Sequence, residues 1–494
     1  MSDLFQLYLF NSNHELFIFV YKIKSLKKIG IIGGGFSGLS CAAVLAKEGY
    51  NVTIFEKNND LGGRARQFKH DGYTFDMGPS WYWMSDVFDK FFKLFGKSTS
   101  DYFKLVKLDP GFKMVFNNSN SIDLPSDWES ILTLFDEIEE GSSVKLKSFM
   151  DDAEFKYNFG INKLVYEPGI SITELFKKDI LKNLLKLNLF SSYRKHISSY
   201  FNHPYLRTLL EFPVLFLGTP PQRTPALYSL MAYSGVKEGT YYPIGGFSKV
   251  IDGFVKLCTD LGVRFEKGVN VEKINIENGL VKSISTSSGQ FDVDYVVGSA
   301  DYQHVDSVLI EKEYSNYNSS YWEKKTFSPS SLLFYLGLNK KINNLEHHNL
   351  FFDEDIEEHI SQIYNDPVWP SKPLFYACCP SKTDSSVAPL GKENLFLLIP
   401  IAAGLRDDSK LYDMYLNRII TRIEKYTGEN ISKNIEFKRS YCISDFENDY
   451  NAYKGNAYGL ANTLMQTANL KPKIVNKRVK NLFYTGQLTV PGPG

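Results

Sequence analysis

Gly33, Gly35 and Gly38 stand in the spacing Gly-x-Gly-x-x-Gly, and Glu56 follows roughly 20 residues later. These residue types suit the binding of a dinucleotide. Gly33 allows a tight turn, Gly35 lets the main chain approach a pyrophosphate, and Gly38 lets a helix pack closely on a strand. Phe36 and Ser37 add main-chain N–H groups at a helix start, where free donors and the dipole favour an anion. The Glu56 carboxylate can accept hydrogen bonds from both ribose hydroxyls of an adenosine. It would repel a 2′-phosphate, which argues against an NADP-type ligand. Lys57 follows directly.

Such a site needs a strand, a turn, a helix and a second strand to hold it. Ile29, Ile31 and Ile32 give the first strand, and Leu39, Ala42, Ala43, Leu45 and Ala46 give the helical pattern. Val52 to Phe55 form a second apolar run that ends at the acid. A glycine triplet alone also occurs in ordinary turns. With strand, helix and acid in register, the pattern favours a dinucleotide.

Downstream come Leu61-Gly62-Gly63-Arg64-Ala65-Arg66 and then Phe75-Asp76-Met77-Gly78-Pro79-Ser80. The Gly-Gly-Arg after the acid resembles the second fingerprint of the FAD-dependent amine oxidase and carotenoid desaturase superfamily. The resemblance continues through Tyr242-Pro243, Gly245-Gly246, Val271 and the run Val297 to Asp301. Thr383 to Gly391, Leu395 to Pro400, and Gly459, Gln466 and Pro472 resemble bacterial-type phytoene desaturases. So does the end of the chain, Asn481 to Gly494, which departs from the commoner pattern at Gln487 and Val490.

The resemblance implies FAD as cofactor. It places contacts at Gly33, Gly35, Phe36, Ser37, Gly38, Glu56, Lys57, Gly63, Arg64, Gly78, Pro79, Ser80, Val271 and Gly486. In that family the valine contacts the adenine through its backbone, and the arginine lies along the phosphates and flavin. The implied substrate is a long-chain polyene hydrocarbon, phytoene converted toward lycopene. Desaturation sends a hydride from an allylic carbon to the flavin and a proton from its neighbour elsewhere, with oxygen or a quinone as final electron acceptor. No Ser–His–Asp or paired-carboxylate arrangement can be argued, and the catalytic residues are left unknown. Trp81, Tyr82, Trp83 and Met84 suit either the wall of a polyene channel or the core. Alternatives are a hydroxycarotenoid desaturase, a carotene isomerase, an amine oxidase, or a nonenzymatic lipid-binding protein of the GDP-dissociation-inhibitor type. The intact glycine, acid and arginine set argues against the last.

Composition agrees. The 494 residues suffice for two or three domains. Lys plus Arg and Asp plus Glu both number 56, so no net charge argues for nucleic acid. Phe (37) and Tyr (31) are abundant, which suits an aromatic-lined tunnel or merely a biased composition. The five cysteines show no metal-ligand spacing, and His347-His348 has no third ligand nearby in sequence, so no metal is expected. The odd cysteine count points to a reducing cytoplasm.

The fold class expected is α/β: a Rossmann-type FAD-binding domain interleaved with an α+β substrate domain and a helical, membrane-facing insertion. Residues 25–100, 241–305 and 441–494 are assigned to the FAD-binding domain. Residues 101–240 are assigned to the helical insertion or lid, and 306–440 to the substrate domain. Residues 1–24 form an extension with no assigned role.

Leu175 to Phe201 reads as a basic amphipathic helix, with Ile180, Leu181, Leu184, Leu185 and Leu187 apolar and Lys177, Lys178, Lys182, Lys186, Arg194 and Lys195 basic. Such a helix can lie on an anionic bilayer or pack against a core. No stretch approaches the about 20 apolar residues of a membrane span. The expectation is a peripheral protein on the inner face of the cell membrane. Relatives continue into a further helix beyond the segment matching Thr485 to Gly494, so the chain is expected to bind FAD weakly or react poorly, or else to be a fragment of a longer protein.

Overall fold

The computed structural model describes residues 27–171, 183, 186–215 and 218–492. Strand β1 (Lys28–Ile32) runs into helix α1 (Phe36–Lys47) and returns as strand β2 (Asn51–Glu56). Buried Ile29, Ile31, Val52 and Ile54 face buried Leu39, Ala42 and Ala43 of the helix. The alanines let helix and sheet approach. This unit is the centre of a five-stranded sheet in the order Leu482–Tyr484, Tyr295–Gly298, β1, β2, Arg264–Lys267. All four pairings are parallel. Helix Ser248–Asp260 covers the same face as α1, and the Cys258 thiol donates to the Leu39 carbonyl at 3.3 Å.

A second, seven-stranded sheet is built on apolar runs. Leu332–Leu338 lies in strand Ser330–Leu338, Leu374–Cys378 gives Phe375–Cys378, and Leu395–Pro400 lies in Glu393–Ile401. Strand alternation divides its two faces. Leu332, Phe334 and Leu336 pack with Tyr415, Leu416, Ile419, Ile420 and Ile423 of helix Ser409–Thr427. Leu333, Tyr335, Leu350, Tyr376 and Phe396 point the other way, into a core shared with Phe75, Met77 and Trp83.

Two expectations change. Residues 101–240 were expected to be helical, and helices Trp128–Ile138, Ser142–Asn162 and Pro204–Leu215 are there. The stretch also contributes the hairpin Phe112–Val115 and Ser121–Leu124, which joins the large sheet beside His348–Phe351. Its buried Ile122 and Leu124 alternate with exposed Ser121 and Asp123, a strand period rather than a helical one.

The expected basic helix over 175–201 lies largely outside the described residues, Lys177, Lys178 and Lys182 included. Its described end is no continuous helix. Residues 186–190 form turns, and Ser192 caps a new short helix, Tyr193–Ser198. Tyr193, Ile197 and Phe201 are wholly buried, and Arg194 pairs with Glu211 at 2.8 Å and with Glu357. This end is therefore anchored to the core. Residues 1–24 lie outside the described residues.

Candidate cofactor and active site

The glycine turn and the acid close on each other. Glu56 is buried, its Oε2 accepting the Gly34 N–H at 2.9 Å and its Oε1 accepting from the Asn58 N–H and side-chain amide at 2.9 and 3.0 Å. Gly33 has φ +104°, and a β-carbon on Gly38 would sit 2.1 Å from the Gly33 carbonyl oxygen. Those two glycines are required by the protein's own packing. Gly35 is different. A β-carbon there would come no nearer than 3.8 Å, to Gly63 Cα. The space beside Gly35 is free, and α1 opens onto it with no side-chain cap. Uncapped N–H groups facing free space suit a pyrophosphate.

Three further segments converge on this space. Ser37 Oγ lies 2.8 Å from Ser299 Oγ, and Gly486 lies against both residues. Gly78 crosses the Arg64 main chain so closely that a β-carbon would meet the Arg64 carbonyl oxygen at 2.5 Å. This places Pro79 and Ser80 directly beyond the arginine. The Gly268 and Val269 N–H groups donate to the Asn58 and Glu56 carbonyls at 3.0 and 2.9 Å, bringing buried Val271 to the ribose end.

Arg64 is enclosed. One terminal nitrogen donates to the Asn456 carbonyl at 3.1 Å, and the guanidinium lies 4.9 Å from the centre of the Tyr450 ring. Burial pushes its pKa down, opposed by the Asp301 carboxylate, whose own pKa burial pushes up. Its Nε is buried with no protein partner. A buried cationic N–H without an acceptor fits an anionic ligand. Arg64, the free space at Gly35 and the Glu56 acceptor together fit FAD.

Two expected residues have other partners. The Phe36 ring packs edge-on against Phe254, leaving only its main chain for a ligand. The Lys57 ammonium donates to Asn451 Oδ1 at 3.1 Å and to the Asn448 carbonyl. Asn456, Tyr450 and Asp301 were not singled out as Arg64's neighbours, because they approach from distant parts of the chain. Asn456 also ties in the variant position Gln487, whose side-chain amide donates to it at 3.2 Å.

Beside Ser80 lies an aromatic cluster. The Ser80 hydroxyl lies 2.9 Å from that of Tyr376, and Trp81, Tyr228 and Tyr458 are partly buried against the core that holds Tyr376. Of the four residues after Ser80, Tyr82 and Trp83 are buried in the core, while Trp81 and Met84 keep accessible surface. Trp81 stacks flat on His348, with ring centres 4.0 Å apart.

The expectation that His347 and His348 lack a third neighbour is corrected. His348 pairs in register with Cys378 on the adjacent strand, bringing ligand-type atoms of His347, His348 and Cys378 within 4.8 Å of one another. Sequence spacing cannot show a neighbour supplied across a sheet. Burial holds both imidazoles neutral, His347 at about 3 and His348 well below its usual value, and pushes the Cys378 thiol up to about 12. Both Nδ1 atoms already meet hydroxyl groups, His347 that of Thr383 at 2.8 Å and His348 that of Tyr376 at 2.5 Å.

Comparison with known proteins agrees with this reading. The model of the flavin containing amine oxidoreductase family matches residues 36–492. A carotenoid 3,4-desaturase of Haloarcula japonica is 39% identical over 469 residues, covering 94% of each chain. A zeta-carotene-forming phytoene desaturase of Myxococcus xanthus is 28% identical, covering 95% of this chain and 91% of its own. The crystal structure of an oxidoreductase from Methanosarcina mazei superposes with a TM-score of 0.60 at 16% identity, covering 93% of this chain and 94% of that one, which shows a shared fold.

Proposed function

This chain belongs to the flavin containing amine oxidoreductase family, and from that premise we propose that it is an FAD-dependent carotenoid desaturase. The observation that carries the proposal is the pairing of a glycine, Glu56 and Arg64 cradle that fits FAD with an aromatic cluster, Trp81 and Tyr376, beside Ser80. In this reading Gly35, Phe36, Ser37 and Gly38 hold the pyrophosphate through their main chain. Glu56 holds the ribose, Val271 lies at the adenine, and Gly63, Arg64, Gly78, Pro79, Ser80 and Gly486 line the path toward the flavin. Bound FAD supplies the two-electron acceptor that removes a hydride from an allylic carbon. The chain's own residues position the polyene and keep water away, which suits a substrate without heteroatoms.

The 39% identity to a carotenoid 3,4-desaturase favours 3,4-desaturation of a carotenoid. Conversion of phytoene toward lycopene is the second reading, supported by the phytoene desaturase relative. Co-expression with a pathway that stops at phytoene, and separately with one that stops at a conjugated carotenoid, tests both by chromatography. A new, longer chromophore in one host identifies the substrate. No new pigment in either, with flavin bound, rejects desaturation.

A carotenoid dissolves in lipid, so we propose that the protein docks on a membrane surface. Exposed Ile170 and Leu470 lie on segments joined by the Asn469 amide donating to the Ser171 carbonyl at 2.5 Å, and exposed Met465 lies nearby in sequence. No described helix is long and apolar enough to cross a membrane. Salt-sensitive flotation with anionic liposomes supports docking, and no flotation at low salt rejects it. Oxygen or a quinone as final acceptor is distinguished by following reoxidation of the reduced enzyme with each.

A further inference from the structure

We propose that Ser80, Tyr376 and His348 form a hydrogen-bonded line that carries away the proton released when the substrate CH–CH pair is oxidised. The proposal rests on the desaturase reading and adds the acceptor that reading lacks.

The geometry is continuous. Ser80 Oγ lies 2.9 Å from Tyr376 Oη, and Tyr376 Oη lies 2.5 Å from His348 Nδ1. Ser80 follows the Gly78-Pro79 segment that crosses Arg64, and it is only partly buried. In the desaturase reading the line starts at Ser80 on the flavin side, and it ends at the wholly buried His348. The sheet fixes its far end. Tyr376 and His348 stand on neighbouring antiparallel strands, with Leu350 opposite Tyr376 and Cys378 opposite His348. Both therefore point to the face that packs on Met77 and Trp83, as diagonal neighbours. Trp81 stacks on the imidazole at an interplanar angle of 12° and fixes its plane.

His348 is wholly buried, with Nδ1 2.5 Å from the Tyr376 hydroxyl. With the Tyr376 O–H donating to it, Nδ1 is the proton-accepting nitrogen. Burial keeps the ring neutral before the step and disfavours the imidazolium that forms. A weak base suffices, because the hydrogen next to an allylic cation is strongly acidic.

The step balances. One C–H bond breaks and its electron pair leaves with the hydride that bound FAD accepts. The neighbouring C–H bond breaks and its pair becomes the new C=C bond. That proton goes to Ser80 Oγ, as the Ser80 proton moves to Tyr376 Oη and the Tyr376 proton to His348 Nδ1. The substrate loses two hydrogens, and His348 ends as imidazolium. Water reaching Ser80 on product release takes the proton back along the line and resets it.

The test is Tyr376→Phe, which removes only the middle oxygen. In the apo-protein, nitrogen-15 spectra of labelled histidine should show a strongly hydrogen-bonded His348 Nδ1 that is lost in the variant. With flavin, the variant should bind FAD and carotenoid as the wild type does. Its single-turnover bleaching by the carotenoid that the wild type converts should fall by about 100-fold, and its solvent deuterium effect should disappear. His348→Leu should show the same split, which guards against misfolding of one variant. Unchanged bleaching in Tyr376→Phe, or a loss matched by weaker carotenoid binding, would overturn the relay. If the wild type itself is bleached by no carotenoid, the desaturase reading fails instead.

Discussion

The carboxylate of Glu56 accepts the Gly34 N–H at 2.9 Å, tying the end of β2 to the middle of the glycine turn. The same carboxylate is placed to accept from a ribose. Glu56→Ala should therefore loosen both the turn and the ligand. Hydrogen bonds to a charged group contribute about 1.5–3 kcal/mol, so flavin affinity should fall by roughly 10- to 150-fold. Flavin absorbance per chain after dialysis measures this. Full retention would contradict the assignment.

Gly35 and Gly38 should behave oppositely when changed to alanine. At Gly38 the new methyl group collides with the Gly33 carbonyl, so the apo-protein should lose about 1–3 kcal/mol of stability. At Gly35 the methyl group meets no protein atom closer than 3.8 Å, so the apo-protein should unfold at nearly the wild-type temperature yet take up little flavin. Thermal unfolding of apo-protein, set beside flavin content, separates the two. Equal unfolding temperatures for both variants would show that the cradle is drawn wrongly.

Asp76 gives a pH signature. Burial pushes its carboxyl up to about 6, although it accepts from the Phe247 N–H at 2.8 Å and the Gln67 amide at 3.1 Å. The folded state therefore binds a proton that the unfolded state has released between about pH 4 and 6. Where the native state holds more protons, stability falls as pH rises. Asp76→Asn should remove that part of the slope. Thermal unfolding of both proteins across pH 4 to 7 checks it, and parallel curves would refute it.

Much of the cofactor half was legible because it is local. The β1 turn, α1 and β2 with Glu56 are contiguous, and their periodicities coincide with their roles. Strand positions in the large sheet were legible for the same reason, since Ser330–Leu338 and Glu393–Ile401 are nearly continuous apolar runs. What stayed hidden is what the sheet and long loops bring together. Cys378 reaches His348 only through antiparallel register, and Asn456 and Tyr450 reach Arg64 from the far end of the chain. The hairpin Phe112–Val115 with Ser121–Leu124 was missed because helical patterns surround it. The basic run over 175–201 was read as one helix because its lysines and leucines recur at helical spacing. That pattern does not show that Arg194 is held by Glu211 and Glu357.

Arg64 gives a prediction of its own. Its buried Nε lacks a partner while one terminal nitrogen and its face are engaged by Asn456 and Tyr450. Arg64→Lys retains the charge but not the fork of donors, so it should not restore full flavin binding. Arg64→Lys should lie nearer Arg64→Ala than the wild type in flavin affinity by equilibrium dialysis. Wild-type affinity in the lysine variant would show that only the charge matters.

The most direct test of the central claim is anaerobic mixing of the flavin-loaded enzyme with candidate carotenoids in liposomes, watching flavin and polyene absorbance together. The account predicts that flavin bleaching and a longer polyene chromophore appear in equal amounts, one new double bond per flavin reduced, with a carotenoid and not with a primary amine. Bleaching by an amine, or a changed carotenoid with no loss of oxidised flavin, would contradict it.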